Sequence, residues 1–283
     1  YAWVSTFTSA ASTATKAATR AARSARRWAS TWMVVGVATL VPAHAAPPAG
    51  GLAPLLGSNG QLGTGWRYVG FPSKHAQIPP TRIEAGTVGT EAAVKVATAS
   101  SYGTLVHPWG GPAPGPLTWR WRLDQPLTGG KTAPDLLAKA GDDAALKVCV
   151  MLDHPLERVP FWERTTLRVA RSISGEDLPA ATVCYVWDSG RPAGLEGANP
   201  YTRRVRFISL RGSEAPLGQW QTESRDVAQD FARLFADELP PGTSAPLTQP
   251  PAITTVLLGA DSDNTASHSV GWVADLRWVR TGL

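Results

Sequence analysis

Residues 253–279, near the C-terminus, constrain the fold more than any other stretch of the sequence. They read ITTVLLGADSDNTASHSVGWVADLRWV. β-Branched and aromatic residues dominate both ends of this stretch, and such residues favour a pleated, half-buried surface. Residues 253–258 and 271–279 are therefore predicted to be strands. Turn-forming residues with oxygen-bearing side chains lie between them, so the two strands are predicted to flank a polar loop.

A second strand signal is LTWRWRL at residues 117–123, where bulky apolar and basic residues alternate. Successive side chains of a strand point to opposite faces of a sheet. The pattern therefore predicts that Trp119 and Trp121 are buried, while Arg120 and Arg122 lie on a polar face.

Strand-like segments outnumber helical ones along the chain, and neither a βαβ rhythm nor an internal repeat is present. Helices are predicted at residues 161–173, which follow a proline, and at residues 224–236, which begin with a capping serine. We therefore predict a mainly β fold: an antiparallel, jelly-roll-like β-sandwich with one or two helices in the connections.

Residues 1–45 have the composition of an export signal. A basic region without acidic residues precedes a short apolar run at residues 32–41, and Ala43 and Ala45 follow. This order is typical of a secretory signal peptide cleaved after Ala45. The alternative is an uncleaved membrane anchor, although the apolar run is too short to span a bilayer.

The signal predicts a periplasmic or secreted protein with no membrane span in its mature chain. Residues 46–62, rich in proline and glycine, are predicted to be a linker, and residues 63–283 a single β-sandwich domain.

The positive net charge of the chain comes from its N-terminal segment. The sequence holds 27 Lys and Arg residues against 22 Asp and Glu residues, a net charge of +5. Five of the basic residues and none of the acidic ones fall within residues 1–45, which leaves 22 of each kind in the remainder. The balance of the mature chain gives no indication of a nucleic-acid partner.

Cys149 and Cys184 are the only cysteines, and each lies in an apolar, strand-like run. In an oxidising compartment they can form one disulfide, and we predict that they lie on neighbouring strands at bridging distance. The alternative is a pair of buried free thiols, which pack as small apolar groups.

The polar loop of the C-terminal stretch is a candidate metal site. Asp261, Asp263 and Asn264 place oxygen atoms at nearly alternate positions, and calcium prefers several oxygen ligands. Calcium is the one cofactor that the sequence suggests. The alternative is a loop in which these side chains accept hydrogen bonds from their own backbone.

Charged residues with the same alternation phase in several strands suggest one polar sheet face. Arginine recognises planar anionic groups with two hydrogen bonds, and aromatic residues at the edge of such a face stack on sugar rings. The alternative is an ordinary solvent-facing sheet surface. The candidate ligand-binding residues are Arg120, Arg122, Tyr185, Trp187, Asp188, Tyr201, Arg204, Arg206 and Asp275.

No complete catalytic signature is present, since the serine-hydrolase, zinc-protease and phosphate-loop motifs are all missing. Paired carboxylates are the remaining catalytic possibility. Asp142, Asp143 and Asp188 are the candidates for the acid and base of a glycoside hydrolase.

Several motifs occur in the order typical of one bacterial family: WRWR at 119–122, AGDD at 140–143, YVW at 185–187, NPYT at 199–202 and DSDNT at 261–265. From about Trp66 to Trp278 the chain resembles the bacterial domain of unknown function family 3047. The resemblance implies an exported domain, with a jelly-roll sandwich similar to carbohydrate-binding modules, and it implies no catalytic residues. The chain departs from the family pattern at both cysteines and at residues 273–275, where Val-Ala-Asp replaces Tyr-Gly-Asp.

The sequence therefore predicts an exported, non-catalytic domain that binds a glycan or another cell-envelope component. Two alternatives remain at this point: a polysaccharide-acting hydrolase that uses paired carboxylates, and a structural subunit of an envelope complex.

Overall fold

A computed structural model describes residues 51–71, 77–174, 179–240, 243, 247 and 249–280, with side chains described up to residue 168 in the segment that ends at 174. The predicted signal peptide and the first residues of the predicted linker lie outside these ranges. No helix in the described ranges is long and apolar enough to cross a membrane.

Strands dominate the described chain, and two α-helices lie in the connections. The strands are β1 (Arg67–Val69), β2 (Arg82–Val88), β3 (Glu91–Ala99), β4 (Tyr102–Gly111), β5 (Leu117–Thr128), β6 (Leu146–Leu152), β7 (Ala181–Trp187), β8 (Glu196–Asn199), β9 (Thr202–Arg211), β10 (Gln221–Arg225), β11 (Ile253–Asp261) and β12 (His268–Trp278). The helices are α1 (Phe161–Ser174) and α2 (Val227–Leu234), and 3₁₀ turns lie at Lys139–Gly141, Leu156–Arg158 and Ala236–Glu238.

The strands form two sheets, which confirms the predicted mainly β, two-sheet architecture. One sheet has seven strands in the order β1-β4-β11-β6-β7-β9-β8, and the other has five in the order β10-β5-β12-β3-β2. All pairings between these strands are antiparallel except that of β7 with β9. That pair is parallel because the chain leaves β7, forms β8 at the sheet edge and turns back into β9 between them.

The core is built from the inward-facing residues of both sheets, and its centre is aromatic. Trp119 and Trp121 are fully buried, as their alternation predicts. Their rings lie 5.3 Å from Tyr185 and 5.6 Å from Trp187, respectively, between centroids. Tyr185 and Trp187 were expected at the edge of a ligand-binding face. They are core residues instead, because β7 is a central strand covered on both faces.

Cys149 and Cys184 lie opposite each other on β6 and β7 and form a disulfide, with their Cα atoms 4.1 Å apart. They belong to a second apolar cluster that includes Val186, Phe207 and Leu257. Along β6, Cys149 alternates with Val148 and Val150 of the inter-sheet core. The disulfide therefore lies on the outward face of the seven-stranded sheet.

Candidate functional site

Three chain segments with motif residues meet at one end of the seven-stranded sheet. Strand β11 ends at Asp261, and its antiparallel neighbour β6 begins nearby, with Gly259 opposite Lys147. Residues 142–143, just before β6, therefore lie beside the loop that follows β11. The β8–β9 turn joins them, because the side-chain amide of Asn199 donates a hydrogen bond to Asp142.

This convergence produces a group of four acidic side chains, Asp142, Asp143, Asp261 and Asp263, which we call the carboxylate cluster. Each of the first three is only 1% exposed, and Asp263 is half-buried. One carboxylate oxygen from each of Asp143, Asp261 and Asp263 lies within 4.8 Å of the other two. Such close approach of buried like charges requires protons, cations or hydrogen-bond donors between them.

Backbone and hydroxyl donors engage two of the four carboxylates. Asp143 accepts hydrogen bonds from the backbone N–H of Thr265 at 2.7 Å and from its hydroxyl at 2.6 Å. Asp261 accepts one from the backbone N–H of Ala144 at 2.8 Å. These bonds tie the segment before β6 to the loop after β11, so the polar loop has a specified structure.

Lys147 supplies positive charge to the cluster. Its Nζ atom lies 2.5 Å from Oδ2 of Asp261, and both side chains are almost fully buried. The same ammonium lies 5.1 Å from the ring centroid of Tyr102. Within the described parts of the chain, Lys147 is the only basic residue that forms an ion pair with the cluster. In the described ranges, one cation therefore pairs with a group of four carboxyl side chains.

The pKa values of the cluster reflect the burial and the charges of its carboxyl groups. Burial, together with the charge of Asp261, raises the pKa of Asp142 to about 7. Burial and the charges of Asp261 and Asp143 raise the pKa of Asp263 to about 7. Burial also raises the pKa of Asp143. Near neutral pH, Asp142 and Asp263 are thus partly protonated, and a cation bound at Asp263 would displace its proton.

In the presence of a chelator, the protein is expected to be more stable at pH 5.5 than at pH 8. The folded state keeps the protons of Asp142 and Asp263 up to a pKa of about 7, whereas the ordinary value is 3.8. The stability from these protons is therefore lost as the pH rises through 7, by about 2 kcal/mol per group between the two pH values. Urea unfolding at both pH values measures the difference, and a protein that is more stable at pH 8 in chelator would contradict the assignment.

The side of the cluster nearest solvent is formed by Asp263, Asn264 and Tyr201, which we call the cluster rim. All three are half-buried. The hydroxyl of Tyr201 donates to the side-chain oxygen of Asn264 at 3.0 Å, and the ammonium of Lys139 lies 5.2 Å from the Tyr201 ring centroid. The rim presents an amide, a carboxyl group and a ring at the surface.

The structure brings the predicted metal ligands together and adds one. Asp261, Asp263 and Asn264 lie in the same loop, but the closest group of three carboxylates includes Asp143. The pair Asp142-Asp143 was considered only as a catalytic candidate in the sequence. The position of this pair just before a strand could have indicated a site residue. Its proximity to Asp261, however, follows only from the pairing register of β6 with β11.

The predicted single basic face is wrong, since its members lie on different sheets. Arg120, Arg122 and Asp275 lie on the five-stranded sheet, where Arg120 pairs with Asp275 at 2.7 Å and Arg122 with Asp124 at 2.6 Å. Because their charges are paired, these arginines form an ordinary solvent-facing sheet surface, which was the alternative to a ligand-binding face. A shared alternation phase places residues on one face only when their strands belong to one sheet.

Arg204 and Arg206, on β9 of the other sheet, are buried structural cations. Both pair with Glu238 of the 3₁₀ turn after α2, Arg206 at 2.6 Å. Asp237 adds a second partner to Arg206 and Glu163 a second partner to Arg204. These residues hold α1, β9 and the 3₁₀ turn together, so neither arginine is available to a ligand.

Asp188 is also separate from the cluster. Its Oδ1 atom accepts hydrogen bonds from the backbone N–H groups of Gly190 at 2.8 Å and Arg191 at 3.2 Å, so it stabilises the turn after β7. Burial raises its pKa. Of the predicted ligand-binding residues, Tyr201 is the one that the structure places at the carboxylate cluster.

Two tryptophans outside the predicted site lie on the outer face of the five-stranded sheet. The indole of Trp272 donates to Asp124 at 2.9 Å, and Lys95 lies over its ring at 5.6 Å. Arg120 lies over the ring of Trp220 at 5.1 Å. Because cations cover a face of each ring, these tryptophans stabilise the sheet surface.

Among solved structures, the chain is similar to the xyloglucanase domain of NopAA, a type three effector from Sinorhizobium fredii, in complex with cellobiose. The two are 8% identical with a TM-score of 0.37, over 77% of this chain and 93% of that chain. No curated protein matches the chain. A family model described as "Protein of unknown function (DUF3047)" matches residues 64–277. That match includes every segment of the carboxylate cluster, and the chain belongs to the DUF3047 family.

Proposed function

We propose that the protein is an exported, non-catalytic binding domain that holds a glycan or another cell-envelope component at the carboxylate cluster, with a calcium ion as part of the site. The observation that carries the proposal is the approach of three carboxylate oxygens to within 4.8 Å of one another, with one lysine paired to the group. Calcium binds several oxygen ligands and tolerates irregular geometry, so it suits such a group.

Asp143, Asp261 and Asp263 are the residues that would hold the ion. Their carboxylates become fully ionised when it binds, which removes the need for protons on this part of the cluster. A calcium ion that is bound by three carboxylates on one side accepts further oxygen ligands on the other. Ligand hydroxyl groups are such oxygens, and the cluster rim lies where they would approach.

The cluster rim offers the chemistry that a polyhydroxylated ligand requires. Asp263 and Asn264 provide oxygen atoms that can accept hydrogen bonds from ligand hydroxyl groups, and they lie beside the hydroxyl of Tyr201. These three side chains are half-buried, so they are both held in place and open to solvent.

Export is supported by two independent features. Residues 1–45 have the composition of a signal peptide. The only two cysteines form a disulfide, which persists in oxidising compartments outside the cytosol. We therefore propose that the domain acts in the periplasm or the extracellular space.

A polysaccharide-acting hydrolase is the second candidate, favoured by the pKa values of about 7 for Asp142 and Asp263. A carboxyl group that keeps its proton near neutral pH suits a general acid. However, glycoside hydrolysis requires two carboxyl groups about 5–10 Å apart with the sugar between them. Asp142 and Asp143 are instead buried and bonded to Asn199 and Thr265, which favours binding over catalysis.

Replacing Asp263 with Asn, or Asn264 with Ala, is expected to weaken glycan binding by about tenfold or more, since each removes a calcium or hydroxyl contact worth about 1.4 kcal/mol or more. A glycan array in calcium identifies the ligand, and calorimetry with that ligand measures the loss. The matched control is Arg122→Ala, on the other sheet, which should bind like the wild type.

Chelation of calcium should abolish binding of the same ligand. Binding that survives chelation and both rim substitutions would show that the ligand is held elsewhere. Release of reducing sugar from the bound polysaccharide, lost in Asp142→Asn, would instead establish the hydrolase.

A further inference from the structure

Phe161 and Trp162, at the start of α1, are the most exposed large apolar side chains in the described chain. Phe161 is 65% exposed and Trp162 is 79% exposed. They are adjacent in sequence, and their rings contact each other edge to face with centroids 5.3 Å apart. A contiguous exposed aromatic pair costs solubility, so it indicates a surface that is covered when the protein acts.

The aromatic pair stands on a well-anchored part of the fold. Leu167 of α1 is buried with Val159 and Ala180, which fixes the first turns of the helix against the domain. Glu163, which follows Trp162 in the sequence, accepts a hydrogen bond from Arg204 of β9 at 2.7 Å. The rings therefore project from a rigid support.

The charged residues next to the aromatic pair in the sequence are mostly basic. Within residues 156–168, three arginines, Arg158, Arg164 and Arg168, stand against two glutamates. Glu163 is neutralised by its ion pair with Arg204. Arg158 and Arg168 are exposed, and Glu157 is the remaining acid. A partner of this surface therefore needs both an apolar and an anionic component.

The angle between the two rings favours a lipid bilayer over a sugar chain as the partner. Their planes are inclined at 75° to each other, so they do not form the flat platform on which a sugar chain stacks. Two aromatic residues that protrude from the first turn of a helix, with arginines beside them, suit the boundary between lipid headgroups and acyl chains. Anionic headgroups attract the arginines at the same depth.

We propose that the first turns of α1 form a peripheral contact with an anionic lipid bilayer, in which Phe161 and Trp162 enter the interface and Arg158 and Arg168 contact lipid phosphates. This surface follows the end of β6, whereas the carboxylate cluster precedes its start. The membrane contact does not depend on the function proposed for the cluster.

The test uses the full, oxidised chain with a single added cysteine at Thr165→Cys, labelled with an environment-sensitive fluorophore. Thr165 is exposed one turn after Phe161, and its hydroxyl donates to the carbonyl oxygen of Phe161, so a label there reports on the same face. Vesicles that contain phosphatidylglycerol are expected to shift its emission to the blue and to allow quenching by nitroxide-labelled lipid. Vesicles of phosphatidylcholine alone should give a much smaller change.

The double substitution Phe161→Ser with Trp162→Ser should raise the lipid concentration at half-saturation by about tenfold or more, because it removes the apolar part of the contact. Both side chains are exposed, so the melting temperature should be unchanged. The matched control carries the label at Leu217→Cys, an exposed apolar position on a different loop, which should report no insertion.

Three outcomes would overturn the membrane contact. They are the absence of any spectral change at residue 165, an equal change with neutral vesicles, and a change that the double substitution leaves intact. A spectral change without lipid that grows with protein concentration would assign the aromatic pair to contact between two copies of the chain, which also overturns it.

Discussion

Replacing Lys147 with Met is expected to lower the free energy of unfolding by about 3–5 kcal/mol at pH 8 in a chelator, the usual cost of removing one partner of a buried ion pair. Lys147 and Asp261 are both almost fully buried and lie 2.5 Å apart, and the substitution removes the one cation that pairs with this group of carboxyl side chains in the described structure. Methionine fills a similar volume, so packing loss contributes little. Urea unfolding followed by circular dichroism measures the change.

The stability lost in Lys147→Met should depend on the pH and on calcium. At pH 5.5 the loss should be smaller, because protons on the carboxylates replace the missing cation. Calcium at pH 8 should restore part of the lost stability for the same reason. The control is Lys95→Met, where the ammonium lies over Trp272 on the exposed sheet face. A loss for Lys147→Met no larger than that for Lys95→Met would contradict our account of the cluster.

Replacing Glu238 with Gln is also expected to cost about 3–5 kcal/mol. The Glu238 side chain is 1% exposed and pairs with both Arg204 and Arg206, so its loss of charge leaves two buried guanidinium groups short of compensation. Burial alone would raise the pKa of Glu238, but the hydrogen bonds from Arg204 and the charges of Arg204 and Arg206 lower it to about 2. The stability from this carboxylate is therefore present above the ordinary pKa of 4.5 and is lost as the pH falls towards 2.

Asp237→Asn is the matched control for Glu238→Gln. Asp237 pairs with Arg206 and Arg203 in the same network, but its side chain is 47% exposed. Exposed ion pairs contribute about 0–1 kcal/mol, so this variant should unfold almost like the wild type. Equal losses for the two variants would show that burial does not govern the strength of this network.

Much of the fold follows from local sequence signals. The alternation at residues 117–123 placed Trp119 and Trp121 in the core because a strand has only two faces, and inward residues must be apolar. The β-branched ends of the C-terminal stretch gave β11 and β12 to within a few residues. These predictions depend on the strand itself and not on its neighbours.

Predictions that depend on strand neighbours were less successful. Arg120 and Arg206 share an alternation phase, but sequence does not show that β5 and β9 belong to different sheets. Likewise, Asp261 and Asp263 were selected as metal ligands from their own loop. Their proximity to Asp143 depends on a pairing between β6 and β11, which lie more than 100 residues apart in the chain. Long-range register leaves no local trace in the sequence.

The burial and the charge of the carboxylate cluster indicate a role other than stability. Its members come from separate segments, they are buried more deeply than surface acids, and one lysine is paired with them in the described structure. A cluster needed only for stability is better served by neutral groups, because buried carboxylates without full compensation destabilise a fold. Stability given up in this way is typical of sites that bind ions or ligands.

Calorimetric titration of calcium into the metal-free protein at pH 7 tests this central claim most directly. We expect saturable binding of one ion, lost in Asp263→Asn and kept in Arg122→Ala. We also expect the heat to vary with the ionisation enthalpy of the buffer, because Asp263, with a pKa of about 7, releases its proton when the ion binds. The absence of calcium binding, or binding that Asp263→Asn leaves unchanged, would contradict the assignment of the cluster as an ion-dependent binding site.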